Sequence, residues 1–185
     1  MASGTTRATV DDLYRSEGKA ELIGGRVVEF MSTGYRPHRV AFNIAMSLRA
    51  YEMKTGRGVA GADNLGYVVP ELPSGRESFS PDASYFMGTP PTNEMRFMNG
   101  PPTFAVEVRS EHDYGPTPDI EYADKRADYF AAGTLVVWDV DPIARTVTCY
   151  RADEPDQAII WRMGDMAHAE PAVPGWSITL EEVFA

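Results

Sequence analysis

The sequence predicts an α/β (α+β) fold in which helices pack on a central β-sheet, preceded by an N-terminal β-hairpin. Three observations carry that reading. Two long segments, Pro37 to Thr55 and Asp119 to Ala132, keep apolar residues at helical spacing, and each stops at a glycine. The run Thr134-Leu-Val-Val-Trp-Asp-Val140 is nearly continuous in apolar residues, as a central strand covered on both faces is. Ala20 to Phe30 has two strand-like arms around Gly24-Gly25, where both positions of a two-residue turn can take positive φ.

In chain order, Thr9-Val-Asp-Asp12 is a capping box that opens a short helix through about Glu17. The hairpin follows, and Glu21 lies on its first arm, where a lone acid is ordinarily a solvated face residue. In the first long helix Val40, Ile44, Leu48 and Tyr51 form the apolar stripe, with Pro37 in the opening turn and Gly56 at the end. His38, also in the first turn, reads as a capping or surface residue. Gly56-Arg-Gly-Val-Ala-Gly61 matches the dinucleotide motif letter for letter. That motif needs a strand before it and a helix after it, so the reverse order here rejects it.

Leu65 to Val69 reads as a strand and Pro70 to Ser80 as a polar loop. Ser80 to Met87 is a strand beginning with Pro81-Asp82, and Pro90 to Pro102 is a second loop. In Thr103 to Arg109, Phe104, Val106 and Val108 alternate onto one face, while Ala105, Glu107 and Arg109 share the other. Glu111-His112-Asp113 reads as solvated loop rather than a metal set. In the second long helix Ile120, Ala123, Ala127 and Phe130 form the expected apolar stripe. Lys125 lies on the other side with Tyr122 and Tyr129, so it reaches a site only if both sides of that helix are covered. Asp139-Val-Asp141-Pro142 is a turn into a strand from Arg145 to Arg151. Gln157 to Met163 is a further strand, Pro174-Gly175 a turn, and Thr179 to Ala185 a short closing helix.

The length of 185 residues fits one domain, residues 1–185, with 1–8 expected to be flexible. A content of 43% hydrophobic and 11% aromatic residues is enough for a core. The formal charge of -10 disfavours a simple basic-face nucleic-acid binder, although a bound divalent cation or a local basic groove can override the sum. Cys149 is the single cysteine, in a strand-like alternation, and reads as buried filler. No run approaches the roughly 18 apolar residues of a membrane span. Met1 to Thr6 carry no apolar signal core, so a cytoplasmic location is expected. There is no G-x-S-x-G elbow and no H-E-x-x-H, which leaves little for a small-molecule hydrolase.

The chemistry gathers on two acids. Glu107, between Val106 and Val108, loses solvation unless it is paired or lies at a wet sheet end; pairing with Arg109 is the simple alternative. Asp82 opens another strand. Two carboxylates on adjacent strands repel by about 4 kcal/mol at 4 Å and an effective dielectric near 20. A divalent cation reverses that sign, and oxygen-only ligands favour Mg²⁺ or Mn²⁺, which suit phosphodiester hydrolysis.

Pro81-Asp82 followed by Glu107-x-Arg109 on a core strand resembles the PD-(D/E)XK nuclease superfamily. More of the chain resembles one branch, the Uma-two family of restriction endonucleases. Glu21-Leu-Ile-Gly-Gly is similar to its hairpin motif, and Pro37-His38 with Asn43 to the start of its long helix. Lys125, Tyr129 and Gly133 are similar to its K-x-x-x-Y-x-x-x-G helix, and Trp138-Asp-Val-Asp-Pro142 to its next strand and turn. The resemblance implies a restriction-endonuclease-like αβββαβ core with a central mixed sheet. It implies a Mg²⁺- or Mn²⁺-dependent DNA endonuclease, with Asp82 and Glu107 as metal ligands, Lys125 acting on water or phosphate, and Glu21 assisting. The superfamily lysine position holds Arg109, a poor base, which favours Lys125 for that role. A homodimer would supply two sites for two strands. The alternative is a catalytically inactive nuclease-fold protein acting as a regulatory or interaction module.

Overall fold

A computed structural model describes residues 7–185. In order, the elements are α1 (Val10–Leu13), β1 (Ala20–Ile23), β2 (Arg26–Glu29), α2 (Tyr35–Thr55), β3 (Val59–Ala62), β4 (Tyr67–Val68), β5 (Ser78–Phe79), β6 (Ala83–Phe86), β7 (Met98–Asn99) and β8 (Phe104–Val108). They continue with α3 (Pro116–Ala132), β9 (Val136–Asp141), β10 (Thr146–Arg151), β11 (Glu154–Trp161), β12 (Met166–His168), β13 (Ser177–Thr179) and α4 (Leu180–Val183). Six strands form the central sheet in the order β11-β10-β9-β8-β6-β3. The β8–β9 pair is parallel and the other pairs are antiparallel, so the sheet is mixed, as expected.

Alternation along β8 and β9 divides the side chains between two cores. Phe104, Val106, Val108, Trp138 and Val140 face α2, whose Val40, Ile44 and Leu48 supply the stripe read from the sequence. Trp176, Leu180 and Val183 close the same layer. Ala105 and Val137 point to the opposite face, where Tyr129 of α3 and Tyr67 and Phe79 of the small β5-β4-β7 sheet cover them. Glu107 and Arg109 lie on this second face by the period-2 rule. Cys149 is buried in the first core, as filler.

The hairpin turns at Gly24 (φ +57°) and Gly25 (φ +69°), a backbone region that favours glycine. Its outer edge docks on residues 75–78. The Gly24 N–H donates to the Gly75 carbonyl at 2.8 Å, the Glu77 N–H to the Leu22 carbonyl at 2.8 Å, and the Leu22 N–H to Ser78 Oγ at 2.7 Å. Residues 1–6 of the expected flexible start lie outside the described residues. Ala8 donates its N–H to Gly25 at 2.8 Å, and Arg7 pairs with Glu77 at 2.7 Å.

Several expectations need correction. The capping box forms, Asp12 accepting from Thr9 N–H and Oγ1 at 2.8 Å each, but the first helix ends at Leu13, where the backbone tightens into i→i−3 bonds from Arg15 to Asp12 and from Ser16 to Leu13. The stripe expected on α3 is buried only in part: Phe130 packs half-buried on the second core, but Ile120 is 61% exposed and Ala127 is exposed, whereas Tyr129 is fully buried. The polar side with Tyr122, Lys125 and Tyr129 turns toward the sheet because charged partners wait there. Glu21, read as a solvated residue, has no exposed surface, since the hairpin's docking on 75–78 closes over it. His38 is exposed, as expected.

Candidate metal and nucleic-acid site

Asp82 stands immediately before β6. Its N–H donates to the Val106 carbonyl at 3.0 Å, and its Oδ2 accepts the Val108 N–H at 2.8 Å. Those two bonds to β8 bracket Glu107, so backbone pairing itself sets the two acids side by side. Asp82 Oδ1 receives the ammonium of Lys19 at 2.5 Å, and the same ammonium reaches Asp63 at 2.8 Å. Burial lowers the pKa of that ammonium, but Asp82 and Glu107 outweigh the effect and hold it charged.

Glu107 Oε1 accepts the Tyr129 hydroxyl at 2.6 Å and pairs with Lys125 at 2.9 Å. Burial pushes the Glu107 carboxyl above the usual carboxylate range; Lys125 and Lys19 pull it down, and Asp82 pushes it up. Lys125 is also 3.1 Å from Glu21. Burial favours its neutral form, but Glu107 and Glu21 prevail and raise its pKa, so it is an ammonium near neutral pH.

Glu21 sits deepest. Its Oε1 accepts the Ser80 N–H at 3.0 Å and its Oε2 pairs with Arg76. Burial pushes the Glu21 carboxyl up, but Lys125 and Arg76 outweigh it and hold the group below its ordinary value. Arg76 also donates to Asp128 at 2.9 Å and lies over the Phe79 ring. The result is a row of charges, Lys19, Asp82, Glu107, Lys125, Glu21 and Arg76, in which opposite signs meet at every step except between the neighbouring acids Asp82 and Glu107.

All four residues singled out in the sequence, Glu21, Asp82, Glu107 and Lys125, come together here. They line a cleft of about 1130 Å³ that Lys19 and Phe30 also border. Arg109 is directed elsewhere. It donates to both oxygens of Asp139 at 2.9 and 2.7 Å and to Asp119 at 2.6 Å, and its cation lies over Tyr122. Glu107 is therefore paired by Lys125 and not by Arg109. Glu111-His112-Asp113 is loop, its Asp113 capping Ser110 N–H at 2.7 Å.

Sequence reasoning missed Lys19 and Arg76. The period of two that puts Lys19 and Glu21 on one face of the hairpin arm was a usable signal for the lysine. Nothing local marked Arg76, which comes from a polar loop. Among the described residues no group of three or more acidic, His or Cys side chains is arranged to hold a metal. Two carboxylates, Asp82 and Glu107, remain as oxygen donors. That number fits Mg²⁺, which takes one or two carboxylates and fills its other positions with water and phosphate. Among the described residues no helix is long and apolar enough to cross a membrane.

A crystal structure described as that of a "putative nuclease belonging to DUF820" from Anabaena variabilis ATCC 29413 is similar in fold. It has a TM-score of 0.74 at 17% identity, covering 95% of this chain and 97% of that one. A search of curated proteins gave no match. The Uma2 family model, described as "putative restriction endonuclease", matches residues 8–181. That match spans both strands of the acid pair, the hairpin and the lysine helix, and the chain belongs to the Uma2 family.

Proposed function

We propose that this protein is a Mg²⁺- or Mn²⁺-dependent DNA endonuclease, with Asp82 and Glu107 as metal ligands, Lys125 as the catalytic cation and Glu21 in support. The observation that carries the reading is that backbone bonds to β8 set Asp82 beside Glu107, with the Lys125 ammonium 2.9 Å from Glu107, all lining one open cleft. When bound, the metal ion supplies a polarised phosphate oxygen and a more acidic water.

The chain's own residues supply the rest. Lys125 is held charged, so it works by donating hydrogen bonds to the attacking water or a phosphate oxygen, and not by taking a proton. Tyr129 and Lys125 both bind Oε1 of Glu107 and so fix the carboxylate's orientation, with the other oxygen left for the cation. Glu21 holds Lys125 from behind, and Arg76 keeps Glu21 ionised. Arg36 and Arg126 border the cleft and offer phosphate contacts despite the net charge of -10. A homodimer would place two such sites on the two strands of a duplex.

The test is plasmid cleavage with Mg²⁺ or Mn²⁺ by the wild type beside Asp82→Ala and Glu107→Ala. Nicking or linearisation by the wild type, reduced at least about a hundredfold in each variant, is expected. Equal cleavage by wild type and Asp82→Ala would remove this site from the reaction. No cleavage together with no Mn²⁺ binding would favour the inactive regulatory module.

A further inference from the structure

Three side-chain cations, Lys19, Arg76 and Lys125, are shared among five carboxylates, Glu21, Asp63, Asp82, Glu107 and Asp128, which leaves the cluster with an excess of negative charge. A dication suits that excess, but at close range it repels any side-chain cation already on the oxygen it takes, so that cation has to step aside. The three differ in where they could go. Both partners of Lys125 lie inside the cluster. Arg76 is gripped by Glu21 and Asp128 and packed on Phe79. Lys19 alone has a partner on the wet side: Asp63, 42% exposed, at 2.8 Å.

Lys19 also sits on the oxygen that matters. Asp82 Oδ2 is committed to the Val108 N–H, so Oδ1 is the oxygen open to a cation, and the Lys19 ammonium is on it at 2.5 Å. We propose that Lys19 is a built-in competitor for the cation seat, holding Asp82 Oδ1 until a divalent ion takes that oxygen and then resting on Asp63 alone. The proposal builds on the metal reading of Asp82 and Glu107 given above.

The geometry suits such an exchange. The Lys19 backbone is fixed, its carbonyl accepting the Phe30 N–H at 2.8 Å, so only the flexible four-carbon stem has to move. Asp63 follows the end of β3, and β3 pairs with β6 through Ala62 and Ala83, the residues next to Asp63 and Asp82. The two carboxylates are thus held on neighbouring strands, and one ammonium bridges them without breaking any backbone contact. Lys19 keeps an acidic partner in both states, and a divalent cation at Asp82 offsets the excess of carboxylates over side-chain cations.

The experiment is Mn²⁺ titration by calorimetry, on the full chain without nucleic acid, for wild type, Lys19→Met, Asp63→Asn and the double variant. Lys19→Met should bind Mn²⁺ about tenfold or more tightly than wild type, a difference of about 1.4 kcal/mol per decade. Asp63→Asn alone should weaken binding several-fold, because Lys19 then has Asp82 as its sole partner. In the Lys19→Met background the Asp63 change should alter affinity less than about twofold, which separates exchange from a general charge effect. Wild-type binding with equal or weaker binding by Lys19→Met overturns the competitor role and leaves the metal seat standing. An Asp63→Asn effect of the same size in both backgrounds also overturns it. No Mn²⁺ bound by any of the four proteins overturns seat and competitor together. If Lys19→Met does not fold, Lys19→Gln takes its place with the same outcomes.

Discussion

Arg76→Met tests the charge chain where it is most buried. The guanidinium pairs with Glu21, which has no exposed surface, and donates to Asp128 at 2.9 Å. Methionine keeps the apolar stem against Phe79 but takes the cation from both carboxylates. Removing one partner of a buried ion pair costs about 3–5 kcal/mol, because the remaining charge is left without compensation. Here Lys125, 3.1 Å from Glu21, and the Ser80 N–H at 3.0 Å still serve that carboxylate, so the low end, about 3 kcal/mol, is expected. With a urea slope of about 2 kcal/mol/M, the unfolding midpoint falls by about 1.5 M. The assay is urea unfolding at neutral pH followed by fluorescence, for which the buried Trp138 and Trp176 report core exposure. Adding Glu21→Gln to Arg76→Met removes the stranded charge and should recover at least about 1 kcal/mol. A loss below about 1 kcal/mol in the single variant, or no recovery in the double, would refute the account of Glu21 as a charge held in place by Arg76.

Tyr129→Phe removes the 2.6 Å hydrogen bond to Glu107 and should cost about 1.5–3 kcal/mol in the same urea assay; an unchanged midpoint would mean the hydroxyl does not support the carboxylate. Glu21 has a folded-state pKa below its ordinary 4.5, so the stability it contributes is present above that pH and lost as pH falls through the folded value. The stability difference between wild type and Glu21→Gln should therefore be level above about pH 4.5 and shrink below it, and a difference flat across acid pH would contradict the pairing. Gly58→Ala introduces a Cβ 2.4 Å from the Tyr85 ring at φ +64°, so a loss of about 1–3 kcal/mol is expected on thermal or urea unfolding; a neutral change would show that this turn relaxes freely.

The sequence alone located the hairpin, the two long helices and most strands of the sheet, because strand and helix periods are local and each glycine stop sits beside the helix it ends; their starts shift by two or three residues, α2 to Tyr35, α3 to Pro116 and β11 to Glu154. Phe104, Val106 and Val108 opposite Ala105 and Glu107 could be assigned to faces without knowing any partner, and so could Val40, Ile44 and Leu48. The acid pair was legible too, since Asp82 and Glu107 lie on successive strands and a buried acid flanked by valines asks for a partner.

What the partner is was decided by tertiary structure. The buried side of α3 is the one with Lys125 and Tyr129, against its own apolar pattern, because Glu21 and Glu107 converge there from two distant strands. A hydrophobic stripe measures what a helix gains from apolar burial, and it is blind to charges brought from elsewhere in the chain. Glu21 was misread for the same reason: its burial depends on the hairpin docking against residues 75–78, some 55 positions along the chain. Arg109 follows Glu107 by two on the same face, yet Asp139 on β9 and Asp119 on α3 draw its guanidinium away. Charge pairing acts over ångströms in space and carries no period along the sequence, so the sequence fixes the carriers of charge while only the fold decides which of them meet.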